Sequence, residues 1–117
     1  MGNNQFIPTF VTELKKDDFI IKPSLELKNK NNGCVFVLFG ESNYDSTHLI
    51  MIWEQISSET TTTLKFIKLE PTDAICKALN VNLPAIFLFK NGILIKQYTD
   101  EQKIENILDF ILENECK

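Results

Sequence analysis

The sequence predicts an α/β fold in which a central mixed sheet carries helices on both faces. Three observations support this prediction. Residues 34–39 form an apolar run of strand length without polar alternation, which is typical of a strand covered on both faces. Asn91-Gly92 separates two apolar segments and favours a two-residue hairpin. An amphipathic helix near the C-terminus is indicated by an apolar stripe of Ile104, Ile107, Leu108, Ile111 and Leu112.

The elements are predicted in the order β-α-β-α-β-α-β-β-α. β-Favouring residues at 8–13 predict the first strand. Asp17 and Asp18 before an apolar segment are typical of a helix start, so we expect a first helix there, split or kinked at Pro23. The other elements are expected as strands at 34–39, 64–69, 85–90 and 93–98, and as helices at 46–57, after Pro71, and from a Thr99/Gln102 capping box.

Composition bounds the possible partners and the compartment. We expect one domain over residues 1–117, with residues 1–7 as a flexible N-terminus. A net charge of −4 offers no basic surface for nucleic acid, and we expect neither a membrane-spanning run nor a secretory leader. Cys34, Cys76 and Cys116 are an odd number at irregular spacing, which is typical of neither a disulfide framework nor a zinc site. We therefore predict no metal, no cofactor and a cytoplasmic, reducing location, and we leave the oligomeric state open.

Several segments resemble those of thioredoxin domains. Val11-Thr12-Glu13-Leu14 followed by Asp18-Phe19 is similar to the opening strand and helix, and residues 34–39 are similar to the central strand. The closest match runs from Leu83-Pro84 through the apolar strand to Asn91-Gly92. The resemblance implies a thioredoxin fold over almost the whole chain and a cis Leu83–Pro84 peptide bond.

The sequence departs from thioredoxins where their chemistry takes place. No Cys-x-x-Cys occurs in the chain, and Tyr44 and Thr47 fall near the two cysteine positions. Neither side chain can act as a thiolate nucleophile or form a disulfide. Leu38 stands at the position of the family's buried aspartate, which serves the dithiol. An unpaired carboxylate in a core costs several kcal/mol, so leucine is the favourable residue once the dithiol is absent.

The resemblance also implies a binding surface. In thioredoxins, extended peptides lie in a groove beside the cis-proline and pair with the main chain of the residue before it. We therefore predict a redox-inactive module that binds another protein or an extended peptide, with no catalytic residues. The predicted binding residues are Ser42, Asn43, Tyr44, Asp45, Thr47, Leu83 and Pro84, with Tyr98 and Thr99 as a further boundary of the groove.

Two other function classes stay open at this point. The first is an enzyme, either an atypical thiol-dependent oxidoreductase that uses Cys34 or Cys76, or a glutathione-handling protein of the same superfamily. Cys34 begins the central strand and is therefore expected at the sheet edge opposite the usual site. The second class is a purely structural subunit of a larger assembly.

Overall fold

A seven-stranded mixed sheet forms the centre of the molecule. The structure is a computed structural model that describes residues 11–30, 33–42 and 47–115. The strands are β1 (Val11–Glu13), β2 (Phe19–Lys22), β3 (Ser24–Leu27), β4 (Cys34–Glu41), β5 (Thr63–Leu69), β6 (Ala85–Lys90) and β7 (Ile93–Gln97). The helices are α1 (Thr47–Ser57), α2 (Ala74–Leu79) and α3 (Ile104–Glu113), and a 3₁₀ turn covers Lys16–Asp18.

The strand order across the sheet is β1-β5-β4-β6-β7-β3-β2. β5 pairs in parallel with β1 and β4, whereas β6, β7, β3 and β2 follow as antiparallel neighbours. The register places Leu38 of β4 opposite Phe66 on one side and Ile86 on the other. The mixed sheet predicted from the sequence is therefore present.

Both faces of the sheet are covered, as the apolar run in β4 predicts. On one face, α1 and α3 pack over the even-numbered side chains Phe36 and Leu38 through Trp53 and Ile107. On the other face, α2 packs over the odd-numbered side chains of β4. All residues from Cys34 to Gly40 are buried, which explains why the run contains no charged position.

The predicted first helix is wrong. The segment after the 3₁₀ turn forms the β2–β3 hairpin instead, with Ile21 paired to Leu25 and Pro23 at the bend. The β-branched Ile20 and Ile21 favour extended backbone. Inside a helix Pro23 would remove one hydrogen bond, whereas at the bend between two strands its missing N–H costs nothing. The acidic residues that suggested a helix start lie in the 3₁₀ turn, where Oδ2 of Asp18 accepts the Lys15 N–H at 2.7 Å.

The hairpin folds over one face of the sheet. β2 stands four places from β4 in the strand order, which would separate the two by about 19 Å in a flat sheet. The Phe19 ring nevertheless lies 5.7 Å from the Phe39 ring and 6.2 Å from the Phe89 ring, measured between centroids. The sheet must therefore curl strongly, and the hairpin covers part of the face that α2 leaves open.

The other predicted strands, helices and turns agree with the structure to within a few residues at their ends. The Asn91-Gly92 turn has positive φ at both positions, as the hairpin prediction requires. A Cβ at Gly92 would come within 2.7 Å of the Leu27 carbonyl oxygen, so the turn needs glycine for space as well. α3 begins at Ile104 with Lys103 at its N-cap position and no capping side chain, so the predicted Thr99/Gln102 capping box is wrong. Residues 1–7 lie outside the described ranges.

Candidate functional site

One edge of the sheet brings the end of β4 to the start of β6. The two strands are antiparallel, and Phe39 pairs with Ala85. The residues that follow β4 therefore meet the loop that precedes β6. Ser42 donates its backbone N–H to the Leu69 carbonyl oxygen at 2.7 Å, which fixes the exit of β4 against the end of β5. The Leu83–Pro84 peptide bond at this edge is cis.

An open cavity of about 620 Å³ lies next to this bond, between the end of β4, α2 and the loop before β6. Its volume falls within the usual range of ligand pockets. We call this cavity, together with Ser42 and Leu83–Pro84, the proline groove. The cavity is lined by Glu41, Pro71, Cys76, Lys77, Asn80, Val81, Asn82 and Leu83.

The structure describes only some of the predicted binding residues. Ser42 is exposed at the end of β4, and Leu83 and Pro84 are half-buried at the same edge. The backbone of Thr47 begins α1. Asn43, Tyr44 and Asp45 lie outside the described residues, so their part in the site stays a sequence-based prediction.

The residues that α2 contributes were missed by the sequence reasoning. Cys76 and Lys77 line the cavity, although neither is among the predicted binding residues. Cys76 is half-buried. A signal was available, because α2 starts shortly after the carboxyl end of β5, and ligand sites in open α/β sheets lie beyond the carboxyl ends of strands. Asn80 closes α2 in the left-handed conformation that asparagine tolerates at a helix end.

Asp73 holds the start of α2 in place. Its carboxylate accepts the Glu70 backbone N–H at 2.7 Å and forms an ion pair at 2.7 Å with Lys16 of the 3₁₀ turn. The bond from Lys16, followed by the bond from the Glu70 backbone, keeps the pKa of Asp73 below its ordinary value. The ion pair thus links the start of α2, the helix that lines the cavity, to the 3₁₀ turn that precedes the β2–β3 hairpin.

Of the two residues predicted to bound the groove, Tyr98 lies in the core and Thr99 lies at the surface. Tyr98 is 7% exposed and belongs to the core under α3, so it offers little surface to a partner. Burial is the main reason that the pKa of its phenol is raised, and Asp100 and Glu101 add to the effect. Its hydroxyl donates to the Glu101 carbonyl oxygen. Thr99 is exposed, and the side chain of the nearby Gln102 reaches the Pro84 carbonyl oxygen at 3.5 Å.

The two described cysteines differ in state and position. Cys34 lies at the start of β4, at the edge opposite the proline groove, and is disulfide-bonded. The irregular cysteine spacing did not predict this bond. Cys76 is a free thiol in the groove. Among the described residues, no group of three or more His, Cys, Asp and Glu side chains is arranged to hold a metal ion.

Solved structures of thioredoxin-type proteins resemble this molecule. The J-Trx1 fragment of ERdj5 matches at TM-score 0.67 and 17% identity, over 89% of this chain and 49% of that one. Form II of human ERp44 matches at TM-score 0.68 and 16% identity, over 97% of this chain and 32% of that one. The fold is that of thioredoxin.

A further solved structure shows this likeness over nearly the whole length of both chains. Thioredoxin NaTrxh from Nicotiana alata matches at TM-score 0.67 and 13% identity, over 95% of this chain and 97% of that one. By contrast, this chain spans about half of the ERdj5 fragment and about a third of ERp44. No protein-family model and no curated protein matches the sequence. Within the described ranges, none of the helices has the length and apolar character needed to cross a lipid bilayer.

Proposed function

We propose that this protein is a redox-inactive thioredoxin-fold module that binds an extended peptide or protein segment in the proline groove. The observation that carries the proposal is a thioredoxin fold with its cis-proline and its groove, but without the cysteine pair in the sequence. Tyr44 and Thr47 fall near the two cysteine positions, and neither supplies a thiolate. Peptide binding remains available to such a groove when electron transfer is not.

The backbone of the proline loop supports binding by main-chain pairing. Among the described residues, no hydrogen bond involves the N–H or C=O of Leu83, the residue before the cis bond. Main-chain pairing supplies affinity when an extended chain is added alongside a protein backbone, and neighbouring pockets supply selectivity. The cavity beside Leu83 would serve as such a pocket, with exposed Lys77 and Asn82 as polar contacts.

Selection from a displayed peptide library, followed by affinity measurement, tests this proposal. Ser42→Trp places a bulky side chain at an exposed position beside the groove, and Ser58→Trp is the matched control at the far end of α1. We expect selected peptides to bind Ser42→Trp at least about tenfold more weakly than wild type, which is about 1.4 kcal/mol. Ser58→Trp should bind them like wild type. Peptides that bind both variants equally would place recognition outside the groove.

A thiol-dependent enzyme is the second candidate, and Cys76 is the observation that favours it. Its free thiol opens into the groove beside the cis bond. A single thiolate could attack a substrate disulfide, forming a mixed disulfide and releasing the substrate's other sulfur as a thiolate, but among the described residues no second cysteine lies in the groove to resolve that bond. The predicted cytoplasmic, reducing location is likewise a proposal, and the disulfide at Cys34 does not support it.

A further inference from the structure

β2 ends the sheet and leaves one backbone edge open. The Lys28 N–H donates to the Asp18 carbonyl oxygen at 2.9 Å, and the Leu27 N–H donates to Gly92 on the β7 side at 2.8 Å. By the alternation of an antiparallel ladder, the backbone groups of Phe19 and Ile21 therefore point away from β3. The Phe19 N–H donates to the Lys16 carbonyl oxygen. No described strand pairs with the remaining outward groups, which are the Phe19 C=O and both groups of Ile21.

A mainly apolar groove runs along this open edge. It has a volume of about 520 Å³ and lies between β2 and the start of α2, whereas the proline groove touches later residues of α2. Ile21 at its rim is 42% exposed. The groove is lined by Lys16, Phe19, Ile20, Ile21, Lys28, Asp73, Ala74 and Ile75.

The charges along β2 are self-complementary. Acidic Asp18 precedes the strand and basic Lys22 ends it, with three apolar residues between them. Asp18 uses Oδ2 for the Lys15 N–H, so its second carboxylate oxygen can accept another bond. If a second β2 runs antiparallel about a two-fold axis at Ile20, each Asp18 faces a Lys22 and each Phe19 faces an Ile21. In this arrangement the Ile21 N–H of each copy donates to the Phe19 carbonyl oxygen of the other, whereas each Ile21 carbonyl oxygen faces a Phe19 N–H that already donates to Lys16.

We infer that the occupant of this edge is a second copy of the chain, joined by antiparallel pairing of the two β2 strands. Ile21 of each copy then packs into the apolar groove of the other. The pairing is short because Pro23 lacks an N–H and ends it on one side. The dimer is therefore reversible, of the kind formed by small interfaces.

Sedimentation velocity over about 10 µM to about 1 mM protein tests the inference. We expect the sedimentation coefficient to rise with concentration, and the Ile21 amide resonance to shift over the same range. Ile21→Asp should abolish the rise in sedimentation coefficient, and the amide at position 21 of that variant should not shift with concentration. The matched control is Ile95→Asp on β7, where the isoleucine is 53% exposed and two strands away from β2 in the sheet, and it should dimerise like wild type. A chain that stays monomeric at about 1 mM, or an Ile21→Asp variant that still dimerises, would overturn the inference.

Charge exchange tests the antiparallel register itself. Lys22→Asp should weaken the dimer at least about tenfold, because it places two pairs of like charges across the interface. Adding Asp18→Lys should restore most of the loss, with circular dichroism confirming that both variants stay folded. Lys90→Asp on β6 is the control and should leave the dimer unchanged. A folded double variant that dimerises no better than Lys22→Asp would contradict the register.

Discussion

Leu38 lies at the centre of the sheet, in the strand that both helical layers cover. It is 2% exposed, and its strand neighbours are Phe66 and Ile86. The resemblance to thioredoxins places the family's buried acid at this position. Here the side chain belongs to the core under α1 and α3, and every residue from Cys34 to Gly40 is buried. The polar donors of that cluster, the Trp53 Nε1–H and the Tyr98 hydroxyl, already donate to the Lys65 and Glu101 carbonyl oxygens.

The first prediction is that Leu38→Asp destabilises the protein by about 4 kcal/mol or more, because it buries an unpaired carboxyl group. Urea unfolding measures the change. Leu112→Asp on α3 introduces the same residue where leucine is 47% exposed, and it should cost under about 1 kcal/mol. An equal loss of unfolding free energy in the two variants would show that the surroundings of Leu38 are not as apolar as the structure indicates.

Asp73 gives a second prediction at the residue scale, and it depends on pH. Because Lys16 keeps the pKa of Asp73 below its ordinary value, the folded state binds this proton less tightly than the unfolded chain does. The stabilisation is therefore present above the ordinary value of 3.8 and is lost as pH falls through the lower folded value.

Thermal melts of Asp73→Asn against wild type should show this directly. The variant is expected to melt lower at neutral pH, and the difference should shrink as the pH falls below 3.8. Asp109→Asn on the exposed side of α3 is the control and should melt close to wild type at neutral pH. A deficit for Asp73→Asn that is the same at all pH values would mean that the ion pair is not its cause.

At the scale of elements, the β2–β3 hairpin explains where sequence reasoning succeeds and fails. Residues 34–39 and the Asn91-Gly92 turn could be predicted because their local patterns agree with their final surroundings. Asp17 and Asp18 gave a helix-start signal, whereas the next three residues favour extended backbone. What decides between them is the packing of Phe19 on Phe39 and Phe89, a contact between distant parts of the chain that no local pattern contains.

The third prediction concerns this hairpin. Phe19→Ala should lower the free energy of unfolding by about 3 kcal/mol or more, since it removes a ring that is 6% exposed and leaves a cavity over the sheet. Ile21→Ala on the same strand should cost under about 1 kcal/mol, because that side chain is 42% exposed. Denaturant unfolding of both variants gives the comparison. If Phe19→Ala lowers the free energy of unfolding no more than Ile21→Ala does, the hairpin does not cover the sheet in solution.

At the scale of the whole molecule, the site could be predicted only in part. Leu83 and Pro84 were found because the proline, the strand and the turn follow one another in sequence. The cavity residues Cys76 and Lys77 come from α2, and their place beside Pro84 depends on how that helix packs on the sheet. A helix this short carries too little periodicity to show which residues face a groove.

The fourth prediction is the absence of dithiol chemistry. The protein should not accelerate the reduction of insulin disulfides by a small dithiol above the rate without protein, because the sequence has no Cys-x-x-Cys. Cys76→Ser should behave identically. Turnover that Cys76→Ser abolishes would instead favour the single-thiol enzyme.

Hydrogen exchange at the Leu83 amide, measured with and without a selected peptide, tests the central claim most directly. If an extended peptide pairs with the backbone beside the cis bond, saturating peptide should slow exchange of the Leu83 N–H at least about tenfold. The Ser58 amide should exchange at the same rate in both samples. Tight peptide binding that leaves Leu83 exchange unchanged would contradict the claim that the proline groove is the working surface of this fold.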